Sequence, residues 1–222
     1  MTKTLPYQDC HHGIANFLSG CYEQAHRYYH NAAHIDRMFR ALTTIPSHYL
    51  AEGNLVLIQW AIFFHDCVYC KGRKASEHSN EMASSHLASD LLRTAGMSSA
   101  DVGDITAIIQ ATDYERFPIG STNYRHNGPG GETLDYLRDL IRDLDLAVFA
   151  DEWDDIMRRN DAVFHESGLE QREFDIKYLE FLRNIRFPMF VTPEMEHLNT
   201  PASYNIVKQI KWLDETLNKK KS

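Results

Sequence analysis

The stretch NLVLIQWAIFFHDCVY, residues 54–69, decides the fold class of this chain of 222 residues. Its apolar residues would lie on most sides of a helix, whereas a surface helix carries them on one face. The run is too short and too interrupted to cross a membrane, which takes about 20 apolar residues. The sequence therefore predicts a central helix that its neighbours bury.

Helical spacing also dominates the rest of the chain. In residues 31–44 apolar side chains recur at i, i+3, i+4 and i+7, and Asn31 is the expected N-cap. No run alternates between apolar and polar residues as a half-buried strand does. We expect an all-α fold, with further helices over residues 78–95, 100–113, 133–149, 151–165, 170–186 and 194–218.

Composition narrows the class of protein. The formal net charge of −8 argues against a nucleic-acid polymer or an anionic membrane as partner, because both favour clustered Lys and Arg. The N-terminal residues lack the apolar run of a signal peptide, so we expect a cytoplasmic protein. Four cysteines in a chain of this length do not indicate a disulfide framework. Twelve histidines are the unusual count, and they call for an explanation.

Imidazole and carboxylate side chains interrupt the helical pattern at three places. His65 and Asp66 lie within the buried stretch, where an unpaired charge costs several kcal/mol. Upstream, His30 and His34 are four residues apart and would share one face of a helix that began before them. Downstream, Asp145 lies in another apolar run. These intrusions indicate a buried cation.

In this order, the interrupting residues resemble a known family. The set His34, His65-Asp66 and Asp145 is similar to the H…HD…D signature of the HD superfamily of metal-dependent phosphohydrolases, in which such side chains bind a divalent metal. The resemblance covers roughly residues 22–190, and four motifs in the right order are together fairly specific. The motifs that resemble one branch of this superfamily are Arg27-x-x-His30-Asn31-x-x-His34-Ile35, Trp60-x-x-Phe63-x-His65-Asp66-x-Val68-Tyr69, Asn80-Glu81-x-x-Ser84 and Asp143-x-Asp145-Leu146.

The resemblance implies both a fold and a chemistry. We expect a single all-helical HD-type domain over residues 1–222, with a core of about 22–150 and a C-terminal helical extension of about 151–218 packed on it. The implied activity is hydrolysis of a phosphoester, such as a nucleotide or another small phosphorylated metabolite. The implied cofactor is a divalent metal: Mn, Fe, Ni, Co, Zn or Mg. The sequence leaves a homo-oligomer open.

Site residues follow from the same resemblance. His30 competes with His34 as the first ligand, and the sequence does not choose between them. Glu81 would position water, although a Glu in the first turn of a helix is equally ordinary. The expected metal ligands are His34, His65, Asp66 and Asp145, or His30. The expected catalytic residues are Asp66, Glu81 and Arg27. A phosphate could be held by Arg27, Lys71, Arg73 and Lys74.

Two departures from the branch argue against catalysis, and two alternative functions stay open. Cys70 stands where members generally carry Asp, and Ala111-Thr112 is followed by Asp113 rather than by a nearby His. The first alternative is a catalytically impaired protein that binds a metal and a nucleotide without turnover. The second is a di-iron HD-type oxygenase, which needs two more histidines. The histidines in the relevant interval are His78, His86 and His126.

The pair Cys67-x-x-Cys70 offers a third chemistry. A zinc site would need two more ligands at matched spacing, and no second pair of this kind exists. A redox pair would normally open a helix after a strand, which an all-helical pattern does not provide. Both cysteines are better interpreted as small buried apolar residues.

Overall fold

The structure is a computed structural model that describes residues 8–46, 50–70, 79–120 and 133–219. Within these ranges the chain forms α-helices and short 3-10 turns without any strand, so the predicted all-α fold is confirmed. The helices are α1 (Gln8–Tyr22), α2 (Ala32–Thr44), α3 (Glu52–Phe64), α4 (Asn80–Thr94), α5 (Ser99–Gln110), α6 (Thr133–Leu146), α7 (Trp153–Ser167), α8 (Gln171–Asn184) and α9 (Asn199–Lys219).

Helix α3 occupies the centre of the fold. It packs against α2, α4, α5 and α6, and the side chains of Ile58, Ala61, Ile62 and Phe64 are fully buried. Burial of each large apolar side chain stabilises the fold by roughly 1.5–3 kcal/mol, because its surface is removed from water. The prediction of a buried central helix is confirmed.

The start of α2 lies between His30 and His34, the two histidines that the sequence suggested would share a helix face. The Asn31 side chain accepts a hydrogen bond from the Ala33 N–H (2.9 Å), so Asn31 is the N-cap, as predicted. His30 precedes this cap and has no place on the helix, whereas His34 lies in its first turn. The two imidazoles therefore do not share a helix face.

The end of α3 differs from the prediction. The helix stops at Phe64, and the predicted continuation to residue 69 is wrong. Side chains from elsewhere bond the backbone of the next residues in place of helical hydrogen bonds. Arg27 donates to the Asp66 and Cys67 carbonyls, and the Ser84 hydroxyl accepts from the Val68 N–H (3.1 Å). His65 and Asp66 thus stand at a helix end rather than inside a helix.

Two further features were not predicted in full. Helix α1 buries Ile14, Leu18 and Tyr22 against the core, although its other residues give it a weak apolar pattern. The predicted helix over 133–149 ends at Leu146 and continues only as a 3-10 turn, Ala147–Ala150. No helix in the described ranges has both the length and the apolar character needed to cross a membrane.

The C-terminal helices pack on the end of α6. Helix α9 lies against α8 and against the turn Ala147–Ala150. The Asn205 side chain of α9 donates hydrogen bonds to the carbonyls of Phe149 (3.0 Å) and Asp151 (2.9 Å). The Asn205 amide satisfies these two carbonyls, which follow α6 in the chain. The packing of α9 therefore holds the segment after α6 in place.

Asp143 ties α6 to the segment that precedes α9. Its carboxylate accepts hydrogen bonds from the Thr192 N–H (2.8 Å), the Thr192 hydroxyl (2.7 Å) and the Val191 N–H (3.1 Å). Burial raises the pKa of Asp143 to about 7, although these hydrogen bonds act to lower it. Residues two apart on a helix point in different directions. Asp143 therefore contacts the segment before α9, while Asp145 is directed at His34.

We predict that Asp143→Ala lowers the free energy of unfolding by about 2–4 kcal/mol, because three buried donors lose their acceptor. Thr192→Val removes one of these donors and should cost about 1 kcal/mol. Urea denaturation followed by circular dichroism measures both values. An Asp143→Ala variant as stable as the native chain would contradict the structural role of Asp143.

Candidate metal centre

Four side chains from three segments converge beside the end of α3. His34 comes from α2, His65 and Asp66 follow α3, and Asp145 comes from α6. The His34 Nε2 atom lies 3.2 Å from His65 Nε2, 3.6 Å from Asp66 Oδ2 and 3.2 Å from Asp145 Oδ1. One ligand atom from each of His34, His65 and Asp66 lies within 4.8 Å of the other two, so this group could hold a metal ion.

The surroundings of the two imidazoles prepare them as ligands. The His65 Nδ1 atom lies 2.9 Å from the Ile62 carbonyl, which can only accept a hydrogen bond. Nδ1 of His65 is therefore the protonated nitrogen, and in the neutral ring Nε2 presents a lone pair to the centre. Nδ1 of His34 is buried and has no hydrogen-bond partner among the residues that the structure describes. Both Nε2 atoms point to one place.

Charge is concentrated in this buried space. Burial alone would lower the pKa of His65, but the charge and hydrogen bond of Asp66 and the charge of Asp145 raise it to about 9. Burial alone would raise the pKa of Asp66, yet the charges of His65 and His30 hold it far below its usual range. The pKa of Asp145 is also lowered, against burial, chiefly by its hydrogen bond with His34. The carboxylates therefore favour a cation between them.

Asp145 has an additional partner that the sequence did not indicate. The Tyr114 hydroxyl donates a hydrogen bond to Asp145 Oδ2 (2.8 Å), while Oδ1 faces His34. This bond orients the carboxylate, as is usual for the neighbours of metal ligands. Tyr114 follows Ala111-Thr112 closely, in the segment where the sequence departs from the branch that it resembles.

Arg27 supports the backbone that carries the His-Asp pair. Its guanidinium donates to the carbonyls of Asp66 (2.7 Å), Cys67 (2.9 Å) and His30 (3.0 Å), and Nε donates to the Gln24 side chain (3.0 Å). These bonds use four of the five N–H donors of an arginine. Arg27 is also buried, which is an environment for positioning a loop rather than for holding a phosphate.

The Asn-Glu segment at the start of α4 supports the same loop. The Asn80 side chain accepts a hydrogen bond from the Cys70 N–H (3.2 Å), and Ser84 holds the residues before it. Burial, together with the charges of Asp66 and Asp113, raises the pKa of Glu81 to about 7. Glu81 can therefore exchange a proton near neutral pH.

The structure places His30 beside the four converging side chains rather than among them. Its Nδ1 atom lies 2.6 Å from the Glu166 carboxylate, and its ring stacks on Tyr69. His34, not His30, supplies an atom to the group that could hold a metal. No local pattern pointed to Glu166, because Glu166 and the His30 ring that it contacts are 136 residues apart in the chain.

Other candidates from the sequence supply no atom to this group or lie outside the described residues. His86 is exposed on α4. Cys67 is buried, and that burial raises the pKa of its thiol to about 12, which makes it a poor nucleophile or redox partner. The residues outside the described ranges are Lys71, Arg73, Lys74, His78 and His126.

Comparison of the chain with protein-family models, with curated proteins and with solved structures found no match. The group that could hold a metal contains His34, His65 and Asp66, while Asp145 lies against His34 and is not in that group. Two imidazoles and a carboxylate suit first-row divalent metals and Zn²⁺, and three protein ligands leave coordination positions for other ligands.

We predict that Mn²⁺, Co²⁺, Ni²⁺ or Zn²⁺ stabilises the native chain, by about 2.7 kcal/mol at a concentration one hundred times the dissociation constant. His65→Ala and Asp66→Ala should abolish this gain, since each removes a ligand. Thermal unfolding with and without metal measures it. His165→Ala is the matched control, because His165 lies on α7 with its side chain 52% exposed. Equal metal stabilisation of all variants would exclude the centre.

Metal affinity should depend on pH through His65. In the metal-free chain the pKa of His65 is about 9, so at neutral pH the ring carries a proton that metal binding must release. Below about pH 9, binding of the metal must displace one proton from His65. We predict that metal affinity falls roughly tenfold for each pH unit in this range. Calorimetric titrations between about pH 6 and pH 9 measure this slope and the protons released. Unchanged affinity over that range would contradict the competition.

Proposed function

We propose that this chain is a metal-dependent phosphohydrolase of the HD superfamily, acting on a small phosphoester. One observation carries the proposal: the buried convergence of His34, His65 and Asp66, with Asp145 against His34. The order of these residues along the chain is the order of the family signature that the sequence resembles.

The charge balance of the centre is compatible with a metal. With Asp145 as a fourth ligand, two carboxylates balance the formal charge of a divalent cation, so an anionic ester would be held by direct coordination to the metal rather than by net charge. Imidazole ligands suit Mn, Fe, Co, Ni or Zn better than Mg. When bound, such a metal lowers the pKa of coordinated water and neutralises charge that develops on a phosphoester.

In this proposal some side chains bind the metal and others orient those ligands. His34, His65, Asp66 and Asp145 hold the metal. Tyr114 keeps one oxygen of Asp145 engaged, so that the other stays directed at His34. These contacts pre-organise the ligands before substrate binds, which lowers the cost of assembling the site during the reaction.

Glu81 is the proton-transfer group in this proposal. Its pKa of about 7 means that it is partly ionised at neutral pH and can accept a proton from the attacking water. Cys70 stands where the branch generally has an acid. In this proposal Glu81, whose pKa is raised to about 7, takes that role.

The proposal is tested with a panel of phosphoesters and Mn²⁺, Co²⁺, Ni²⁺ or Mg²⁺. We expect metal-dependent release of phosphate by the native chain, and a loss of about 100-fold or more in kcat/KM for His65→Ala and Asp66→Ala. His165→Ala again serves as the control. Activity that survives in both ligand variants would refute the proposed site.

Glu81→Gln and Cys70→Asp test how the proton is handled. Glu81→Gln keeps the size of the side chain but cannot accept a proton, so kcat should fall about 10²- to 10⁴-fold while metal affinity is kept. Cys70→Asp restores the acid that the branch generally carries at this position, and it should raise activity if the native chain is limited by the absence of that acid. A native chain that binds metal and a nucleotide without turnover would replace the proposal by the impaired, nucleotide-binding alternative. Two irons per chain with oxygen uptake would replace it by the oxygenase.

A further inference from the structure

A cavity of about 130 Å³ opens among α7, α8 and α9 and shares no lining residue with the metal centre. Its walls include Phe164 from α7, Phe174 and Tyr178 from α8, and Trp212 from α9. An engineered cavity of about 150 Å³ holds a benzene molecule, so this cavity is large enough for a compact group of slightly smaller size. It can therefore take the head group of a small ligand, a role that nothing assigned so far uses.

Four aromatic rings from three helices are grouped around this cavity. The Phe174 and Tyr178 rings are stacked with their centroids 5.6 Å apart, and the Phe164 ring meets the Phe174 ring edge-on at 5.4 Å. Trp212 is 41% exposed and belongs to the opening. The face of an aromatic ring carries negative charge and attracts cations, most strongly for Trp. The rings therefore favour a cation over a neutral group of the same size.

Two carboxylates add negative charge to the same cavity. Asp175 is only 2% exposed, whereas the Asp161 side chain is 71% exposed and belongs to the rim. The Gln171 amide donates a hydrogen bond to Asp175 Oδ1 (2.6 Å), and His165 Nε2 lies 3.6 Å from Asp161 Oδ2. A carboxylate attracts a cation more strongly in a buried position, because the surroundings screen charge less than water does.

The neutral polar side chains of the cavity are bonded to neighbours. Asn160 Nδ2 and the Tyr178 hydroxyl donate to Gln209 Oε1 (2.9 and 2.8 Å). Arg159 donates to Asn160 Oδ1 and to the Tyr178 hydroxyl, while its guanidinium stacks on the Phe149 ring (4.2 Å) and does not line the cavity. A neutral polar ligand would have to displace these bonds, whereas the rings and carboxylates attract a cation without breaking them.

We propose that this cavity binds a small organic cation with a methylated ammonium head, such as a trimethylammonium group. The rings pack against its methyl groups, and Asp175 and Asp161 supply the opposite charge. A quaternary ammonium has no N–H to donate, so it is recognised by ring faces rather than by hydrogen-bond acceptors. The inference does not rest on the proposed function, because the metal ligands take no part in this site.

Binding at this cavity would stabilise the packing of the C-terminal helices. The ligand contacts α7, α8 and α9 together, and these surfaces meet only when the three helices are docked. A ligand that binds only the folded chain raises its stability by mass action. An increase in unfolding temperature with ligand concentration is therefore expected.

Choline is the probe, titrated calorimetrically into the native full chain. The control ligand is the neutral carbon isostere of choline, in which a tert-butyl group replaces the trimethylammonium group and keeps its shape without the charge. We expect saturable binding of choline and a rise in unfolding temperature. The isostere should bind at least about 10-fold more weakly, because only the cation is attracted by the ring faces and the carboxylates.

Three variants test the residues that line the cavity. Asp175→Asn keeps an acceptor for Gln171 and removes only the charge, so choline affinity should fall at least about 10-fold. Trp212→Leu removes a ring at the opening and should cost about 3- to 30-fold, part of which Trp212→Phe should restore.

The matched control is Asp214→Asn. Asp214 lies on α9 outside the cavity lining, where it pairs with Arg183 (2.8 Å). The substitution removes the same charge as Asp175→Asn does, so it should leave choline affinity unchanged.

Several results would overturn the inference. Choline that does not bind the native chain would exclude the site. Equal affinities for choline and its isostere would show that the cavity is only apolar. Equal losses in Asp214→Asn and Asp175→Asn would reduce the effect to net charge. If Asp175→Asn does not fold, the exposed Trp212 decides: native choline affinity in Trp212→Leu would refute the aromatic site.

Discussion

Burying His65 and Asp66 at the end of the central helix is the constraint on which the rest of the structure depends. Isolated ionised groups in an apolar core cost several kcal/mol each, and the chain meets that cost by bringing opposite charges together. His34 from α2 and Asp145 from α6 lie within hydrogen-bonding distance of one another beside them. The packing of α2, α3 and α6 therefore depends on the attraction between the charged side chains of the metal centre.

A second requirement is that the backbone after α3 stays in a non-helical shape. Its polar groups would be unsatisfied in the core without partners, and buried backbone groups are almost always paired. Arg27, Ser84 and Asn80 supply those partners from two different segments. These side chains belong to the motifs that resemble the HD superfamily, and a supporting role explains why each appears near the ligands in sequence order.

The C-terminal helices contribute more than a cover for the core. Asp143 anchors the segment before α9, and Glu166 of α7 orients His30 beside the centre. Both carboxylates are buried and both accept backbone N–H groups. The division into a core of about 22–150 and an extension of about 151–218 remains a prediction, but in the described structure the two parts share the surroundings of one site.

Much of this architecture could be predicted from local sequence, because periodic apolar residues report which face of a helix is buried. The buried helix within residues 54–69, the N-cap at Asn31 and the helical class all follow from that pattern. The end of α3 did not follow, since it is set by Arg27 and Ser84 from distant positions. Helix α1 was not predicted, although Ile14, Leu18 and Tyr22 follow one another at intervals of four residues and are buried against the core.

The sequence by itself determined the chemistry that is available: imidazoles and carboxylates placed within apolar runs, where their charges need partners. Only the tertiary structure decided which of them meet. It set His34 rather than His30 in the group with His65 and Asp66, gave Asp143 to the segment before α9, and brought Tyr114 and Glu166 to the site. The physical reason is that helix direction and crossing place side chains in space, and no local pattern encodes contacts across a hundred residues.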